Sequence, residues 1–383
     1  MAAAGRRAYF DHAATAPLLP QARDAWLAAT EVVGNPAALH GSARAAKALL
    51  EDARESIAAD LGAHPAEVLF TSSGSQGDSI AVLGGRALRP EQPRVAISAV
   101  EHPGVASVRD HLGPDLVVEL PVERTARLDL SALPTLISTD VGLVSVQAVN
   151  GEVGVIQPIT EAAAAAHRVG ALFHTDAVQA LGQPGIDFGA LPIDLASVAA
   201  HKIGGPVGIG ALLARREVTL GAAGLGSGQE RGVVSGTPAV PLAVAFAAAL
   251  RVTTQRRAGD AERARQLRQR LLAAVAEVPD VRVNQGGPDE QVPGIVHPTI
   301  ADTRADDVLF LLDRAGIDAS TGAACRAGLH QPSDVVLAMT HDLAEASASI
   351  RLSFGPDTTD ADLDALVEAL PGAIAQARTA FSG

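Results

Sequence analysis

The feature that most limits what this chain can fold into is a regular alternation of short apolar runs with amphipathic stretches. Seven strand-like segments stand out, at 67–71, 94–99, 116–120, 142–149, 171–175, 194–199 and 209–214. Between them lie helical patterns at 42–61, 75–88, 105–112 and 159–169. Strands apolar on both faces need cover on both faces, so the pattern predicts an α/β fold with a mostly parallel seven-stranded sheet. In such sheets ligands bind at the carboxyl ends of the strands. After about residue 237 the texture changes. Two long helices are expected at 238–253 and 261–275, then short strands near 281–284, 294–298 and 350–354 with helices at 305–315 and 360–377. The expected division is a large domain over 16–257 and a smaller α+β domain made of 1–15 with 258–383, joined by a long helix.

Of 383 residues, 48% are hydrophobic, enough for a large core and too apolar for disorder. The formal charge of −13 argues against non-specific nucleic-acid binding and against docking on anionic membranes. No apolar run is long enough to span a bilayer, and the first residues lack an apolar signal core, so a cytoplasmic protein is expected. Cys325 is the single cysteine, which excludes an intrachain disulfide and suits a reducing compartment. Lys47 and Lys202 are the only lysines. Lys47, near Glu51, reads as a solvated helix residue, and the Arg/Glu run at 256–270 reads as a solvated helical face. His12, His40, His174 and His330 are too scattered, with too little cysteine, for a metal site.

Lys202 sits where a buried strand ends in Val-Ala-Ala-His201-Lys202 before a Gly-rich turn. An arbitrary lysine there is a loop lysine. The scarcity of lysine and the costly position favour a Schiff-base role instead. A pyridoxal phosphate site also needs an acid for the pyridine nitrogen, a phosphate cradle and a group against the ring. Asp176, at a strand's carboxyl end with Gln179 three residues on, can be that acid or simply a helix cap. Phe70-Thr-Ser-Ser-Gly74-Ser75 breaks a strand into a helix start that suits phosphate, although Ser/Gly turns cap many helices. His102 follows the next strand and can stack on a ring or be an ordinary loop histidine. Cys325 lies among small residues in Ser320-Thr-Gly-Ala-Ala-Cys, unlike the packed setting of a structural thiol. A mobile nucleophile and an incidental loop cysteine remain equally open on that evidence.

In their order along the chain, these segments resemble the NifS/IscS-type cysteine desulfurases of the class V aminotransferase group. The resemblance runs nearly end to end. It also includes Tyr9-Phe-Asp-His-Ala-Ala-Thr-Ala-Pro, Gly34-Asn-Pro-Ala-Ala-Leu-His, Glu101-His, Asn150-Gly-Glu-Val-Gly, His174-Thr-Asp-Ala-Val-Gln, Gly228-Gln-Glu-Arg-Gly, Ser235-Gly-Thr-Pro and Ile350-Arg-Leu-Ser-Phe-Gly. It implies a fold-type I pyridoxal 5'-phosphate enzyme, normally a homodimer, with the cofactor in the large domain and the catalytic cysteine on an extended loop of the small one. Lys202 would form the internal aldimine, Asp176 would pair with the pyridine nitrogen, and Gln179 would bond the phenolic oxygen. His102 would stack on the ring and move protons. Gly74, Ser75 and His201 would hold the phosphate, with Thr237 reaching across from the neighbouring subunit. Arg351, with Asn150 nearby, would bind the substrate. Cys325 would take the sulfur of L-cysteine as a persulfide, release L-alanine and pass sulfur to an acceptor such as an iron–sulfur scaffold or a thiolation enzyme.

The sequence departs from the family pattern at several positions. Gly151 stands for a second Asn, Ala199 for a phosphate-binding Ser, Gln76 for Glu, Ser79 for Asn, and Val234 and Pro356 for arginines. Two lost neutral hydrogen bonds to the cofactor cost about 1 kcal/mol each, which the remaining contacts can absorb. The departures leave open another pyridoxal reaction, such as selenocysteine lyase, C–S lyase or transamination, or a degenerate scaffold protein.

Overall fold

The structure is a computed structural model that describes residues 7–222, 224–226, 228–322 and 331–381. After a short strand β1 (Ala8–Tyr9) come β2 (Val68–Thr71), β3 (Arg94–Ser98), β4 (Val117–Leu120), β5 (Val141–Ser145), β6 (Leu172–Asp176), β7 (Leu195–Ala199) and β8 (Gly210–Ala214). These last seven form one sheet in the order β2-β8-β7-β6-β5-β3-β4, parallel except for β8, which runs against both its neighbours. β5 to β8 are buried along their whole length, which is why their sequences read as unbroken apolar runs. Helices Gly41–Asp60 and Ile159–Arg168 contribute Leu50, Ile57 and six alanines to the core on one face.

Gly210 shows how tightly the sheet edge is packed. A Cβ there would lie 2.6 Å from the Val198 carbonyl oxygen and 3.0 Å from the Gly74 nitrogen, so only glycine lets the loop after β2 settle against β7.

A second core is built on the antiparallel sheet β9 (Val281–Asn284), β10 (Ile295–Ile300) and β12 (Leu352–Ser353), ordered β12-β10-β9, with helices Ala305–Arg314 and Asp360–Phe381. β1 pairs in parallel with β11 (Ile317–Asp318), and Phe10 is fully buried in this same core. The start of the chain is thereby fastened to residues more than 300 positions later.

Where two helices were expected at 238–253 and 261–275, a single 37-residue helix Val240–Ala276 runs through both cores. The linking residues contain Gln, Arg and Ala with one glycine, Gly259, whose cost of ~1 kcal/mol is easily offset. Phe246 and Leu250 anchor its first half in the large core, Leu267 and Leu271 its second half in the small one. The expected solvated Arg/Glu face is also corrected in part. Arg268 is buried, donates to the Ile295 carbonyl and to Gln285 Oε1 at 2.7 Å, and burial pushes its pKa down to about 10. Among the described residues no helix is long and apolar enough to cross a membrane.

Candidate active site

Seven of the sequence-predicted residues, Gly74, Ser75, His102, Asp176, Gln179, His201 and Lys202, lie in the segments that follow the carboxyl ends of the large sheet's strands. After β2, Ser73 caps the next helix by accepting from the Gln76 amide at 3.1 Å, and Gln76 Oε1 accepts from the Ser72 amide at 2.7 Å. These bonds hold Gly74 and Ser75 at the helix start, with Gly74 packed against Val178 so closely that a Cβ would come within 2.5 Å. After β3, His102 caps helix Pro103–Ala106, its Nδ1 accepting from the Gly104 amide at 3.0 Å. In the neutral ring the proton is therefore on Nε2. After β6, Asp176 Oδ1 accepts from the Val178 amide at 2.9 Å. After β7, Lys202 Nζ donates to the carbonyls of Ala13 at 2.5 Å and Ala14 at 3.0 Å. Gln179 Nε2 donates to that same Ala13 carbonyl at 2.8 Å. His201 shares a 3.3 Å hydrogen bond with Thr15 Oγ1. The turn at 11–15 is thus a seat for the lysine, a role the sequence did not signal.

Burial governs the charges here. Asp78, 1% exposed, lies beside Asp176 and His102, the nearest side-chain nitrogens and oxygens of the three all within 4.8 Å of one another. Neither Asp78 oxygen has a hydrogen-bond partner among the described residues. Burial, reinforced by the Asp176 carboxylate, pushes the Asp78 pKa well above the usual range. Burial also raises Asp176, but the His102 ring, the Val178 N–H and the Lys202 ammonium oppose it. Asp176 therefore carries the negative charge and Asp78 the proton. His201 is held neutral, its pKa pushed down to about 4 by burial and then by Lys202 and His102. The set comprises an amine, a buried carboxylate, an imidazole and a helix start with a hydroxyl. It fits a flat ring with an aldehyde, a basic nitrogen and a phosphate. The Asp176 carboxylate, buried at the sheet edge with the proton of the pair left on Asp78, suits a cationic ring nitrogen.

Residues 8–366 match the family described as aminotransferase class-V. The chain belongs to that family. An IscS-like cysteine desulfurase of Mycobacterium tuberculosis is 43% identical, the alignment covering 97% of this chain and 98% of the relative. A solved NifS-like protein superposes with a TM-score of 0.90 at 28% identity, over 97% of this chain and 100% of the other. A structure described as SspA in complex with cysteine gives a TM-score of 0.79 at 28% identity, over 92% and 99%.

Within this class V fold the remaining expected residues behave differently from one another. Arg351, 4% exposed, donates from Nη2 to Asp11 Oδ1 at 2.7 Å and from Nη1 to the Gly151 carbonyl at 2.8 Å; its Nε has no hydrogen-bond partner among the described residues. Asn150 is expected to touch the substrate, yet both ends of its amide are engaged by backbone. Oδ1 accepts from the Glu152 and Val153 amides at 3.0 and 2.7 Å, and Nδ2 donates to the Val100 carbonyl at 3.2 Å. In this arrangement Asn150 shapes its turn. Gly151 lies against Gln179, where a Cβ would be 3.1 Å from Gln179 Nε2, so Gln179 occupies the space of the missing side chain. Thr237 is exposed on the loop before helix Val240–Ala276. Cys325 lies outside the described residues. The sequence reading missed Asp78, whose one legible sign was an acid on the apolar side of the 75–88 helical pattern.

Proposed function

We propose that this chain is a pyridoxal 5'-phosphate-dependent cysteine desulfurase that converts L-cysteine to L-alanine and carries the sulfur as a persulfide on Cys325. The observation that carries the reading is the convergence of Lys202, Asp176 and His102 at one sheet edge. The 43%-identical desulfurase relative and the cysteine-bound structural neighbour support it. When bound, pyridoxal phosphate withdraws electrons from the substrate's α-carbon and so weakens the bond to sulfur.

Lys202 holds the cofactor covalently, Asp176 keeps the ring nitrogen protonated, and Gln179 bonds the phenolic oxygen. Gly74, Ser75 and neutral His201 hold the phosphate, with Thr237 supplied by the second copy of a homodimer. Arg351 exchanges Asp11 for the substrate carboxylate, a bidentate match for guanidinium, with Asn150 fixing the adjoining turn. The Cys325 thiolate attacks the substrate sulfur: an S–S bond forms, the C–S bond breaks, and its electron pair stays on the β-carbon. That carbon takes up a proton, which His102 Nε2–H supplies. A cytoplasmic acceptor protein for iron–sulfur or thiolation chemistry then takes the sulfur. The working division of the chain is 16–257 for the cofactor and 1–15 with 258–383 for the cysteine loop.

The test is to incubate the cofactor-loaded protein with L-cysteine and a reductant and to quantify alanine. Cys325→Ala is expected to keep its yellow band and lose at least about a hundredfold in rate, on the scale of removing a nucleophile. Alanine released at the parental rate by Cys325→Ala would overturn the role of the thiol. A yellow, folded parent that releases no alanine from cysteine but acts on selenocysteine would move the substrate assignment.

A further inference from the structure

Sulfur transfer as outlined leaves the buried Glu152 unused. Glu152, 6% exposed on the 150–154 turn, faces both ends of the segment 323–330 that contains Cys325 and lies outside the described residues. On the near side is Gly322, with a left-handed φ of +86°. It lies so close that a Cβ would be 2.4 Å from Glu152 Cγ, so both space and backbone demand glycine. On the far side Ser333 Oγ donates to Glu152 Oε1. His297, fully buried on β10, brings Nε2 to 3.4 Å from the same oxygen, while its Nδ1 lies 3.0 Å from Asn284 Nδ2.

The far side is fastened further. Ser333 Oγ caps helix Asp334–Thr340 by accepting from the Val336 amide at 2.9 Å. Met339 of that helix packs with Val153 and Val155, the residues that follow Glu152. Burying a carboxylate against a hydroxyl and an imidazole, with no Arg or Lys salt-bridged to it among the described residues, is a poor way to gain stability. It is a good way to fix two chain ends to one point.

We propose that Glu152 is a positioning residue for sulfur transfer, seating both ends of the Cys325 segment on one side chain beside the cofactor pocket. The proposal rests on the reading of Cys325 as the sulfur-carrying thiol. Chain geometry gives it force. Three peptide units separate Gly322 from Cys325, so the Cys325 Cα can stand no more than roughly 11 Å from the Gly322 Cα. Where Gly322 is held therefore bears on the thiol's effective concentration at the substrate sulfur.

Because the chain has one cysteine, a nitroxide label reports on this segment without other substitutions. The experiment compares electron-spin spectra of labelled parent, Glu152→Ala, Glu152→Gln and Ser333→Asp. Unlabelled samples are assayed for persulfide formation and for KM. Ser333→Asp keeps a good helix cap but sets one carboxylate against another. Glu152→Ala and Ser333→Asp are expected to speed label motion and slow persulfide formation by about tenfold or more, a scale typical of small misplacements. KM and the cofactor's absorption band should stay at parental values. Glu152→Gln, which still offers Ser333 an oxygen, should remain within about threefold of the parent. Unchanged spectra and rates in Glu152→Ala and Ser333→Asp would overturn the proposal. If Glu152→Ala does not fold, Ser333→Asp decides alone. If the parent forms no persulfide, the desulfurase reading fails, and the label spectra still decide whether Glu152 holds the segment.

Discussion

Lys202→Ala is expected to leave a folded protein that retains no covalently bound cofactor, shows no yellow band after gel filtration, and loses roughly 10³-fold to 10⁶-fold in alanine formation, the range for removal of a covalent catalytic group. Lys202 reaches two backbone carbonyls, those of Ala13 and Ala14, and Gln179 Nε2 joins it on the Ala13 carbonyl. The side chain is only partly buried, so its removal leaves no large apolar cavity and the sheet should stand. What goes is the amine. Arginine cannot replace it, because the guanidinium stays protonated and does not condense with an aldehyde. The measurement is an absorption spectrum after extensive dialysis together with an alanine assay. A variant that stays yellow and turns over at the parental rate would remove Lys202 from the chemistry.

The second large effect concerns acid stability. His174 on β6 is fully buried, with Ser145 Oγ 2.8 Å from Nδ1 and Ser197 Oγ 2.9 Å from Nε2. Burial pushes its pKa from 6.5 down to about 3, so the fold holds it neutral. An unfolded chain protonates it near 6.5. A depressed folded value stabilises the protein above the unfolded pKa, and that stability is lost as pH falls from about 6.5 toward about 3. Over that span the loss approaches about 5 kcal/mol, at about 1.4 kcal/mol per unit. Asp78, Glu101 and Asp176 act in the opposite sense. Burial raises all three, so the fold keeps their protons to higher pH than the unfolded chain does and gains stability as they are taken up. The difference between parent and His174→Gln reports the histidine together with its buried neighbour Asp78, whose Oδ1 lies 3.8 Å from Nε2. Urea unfolding at steps from pH 7 to pH 4 should show the parent losing stability more steeply than the variant below about pH 6.5. Parallel curves would mean that His174 is not the buried neutral group.

Much of this was legible in the sequence, for physical reasons. Strands covered on both faces must be apolar throughout, which is why the seven runs were visible and why Lys202 stood out at the end of one. Asp176 and His102 were readable because a sheet's carboxyl edge is a known place for chemistry. Less visible was anything that depends on what folds back on what. The joined helix Val240–Ala276 took its continuity from two separate cores, which no local pattern announces. Asp78 and His174 look like ordinary polar residues until β5, β6 and β7 enclose them. Asn150 carried the right residue type, but its amide was already committed to its own turn. Arg268 sat in a run that reads as solvated and turned inward.

The parallel bridge between Asp11 and Ser353, with the Ala13 amide bonded to Ser353 Oγ at 2.9 Å, bears on how the protein is made. A ribosome adding about 5–20 residues per second finishes β8 well before it reaches Ser353. For roughly 7–28 seconds the nascent chain can own a complete large sheet while residues 11 and 13 lack their partner at Ser353. Lys202 is present during that interval, but the carbonyls that seat it are not yet held in place by the small core. The turn that seats the lysine is therefore closed only once residue 353 has been made, and a chain cut short before it would lack that closing bridge.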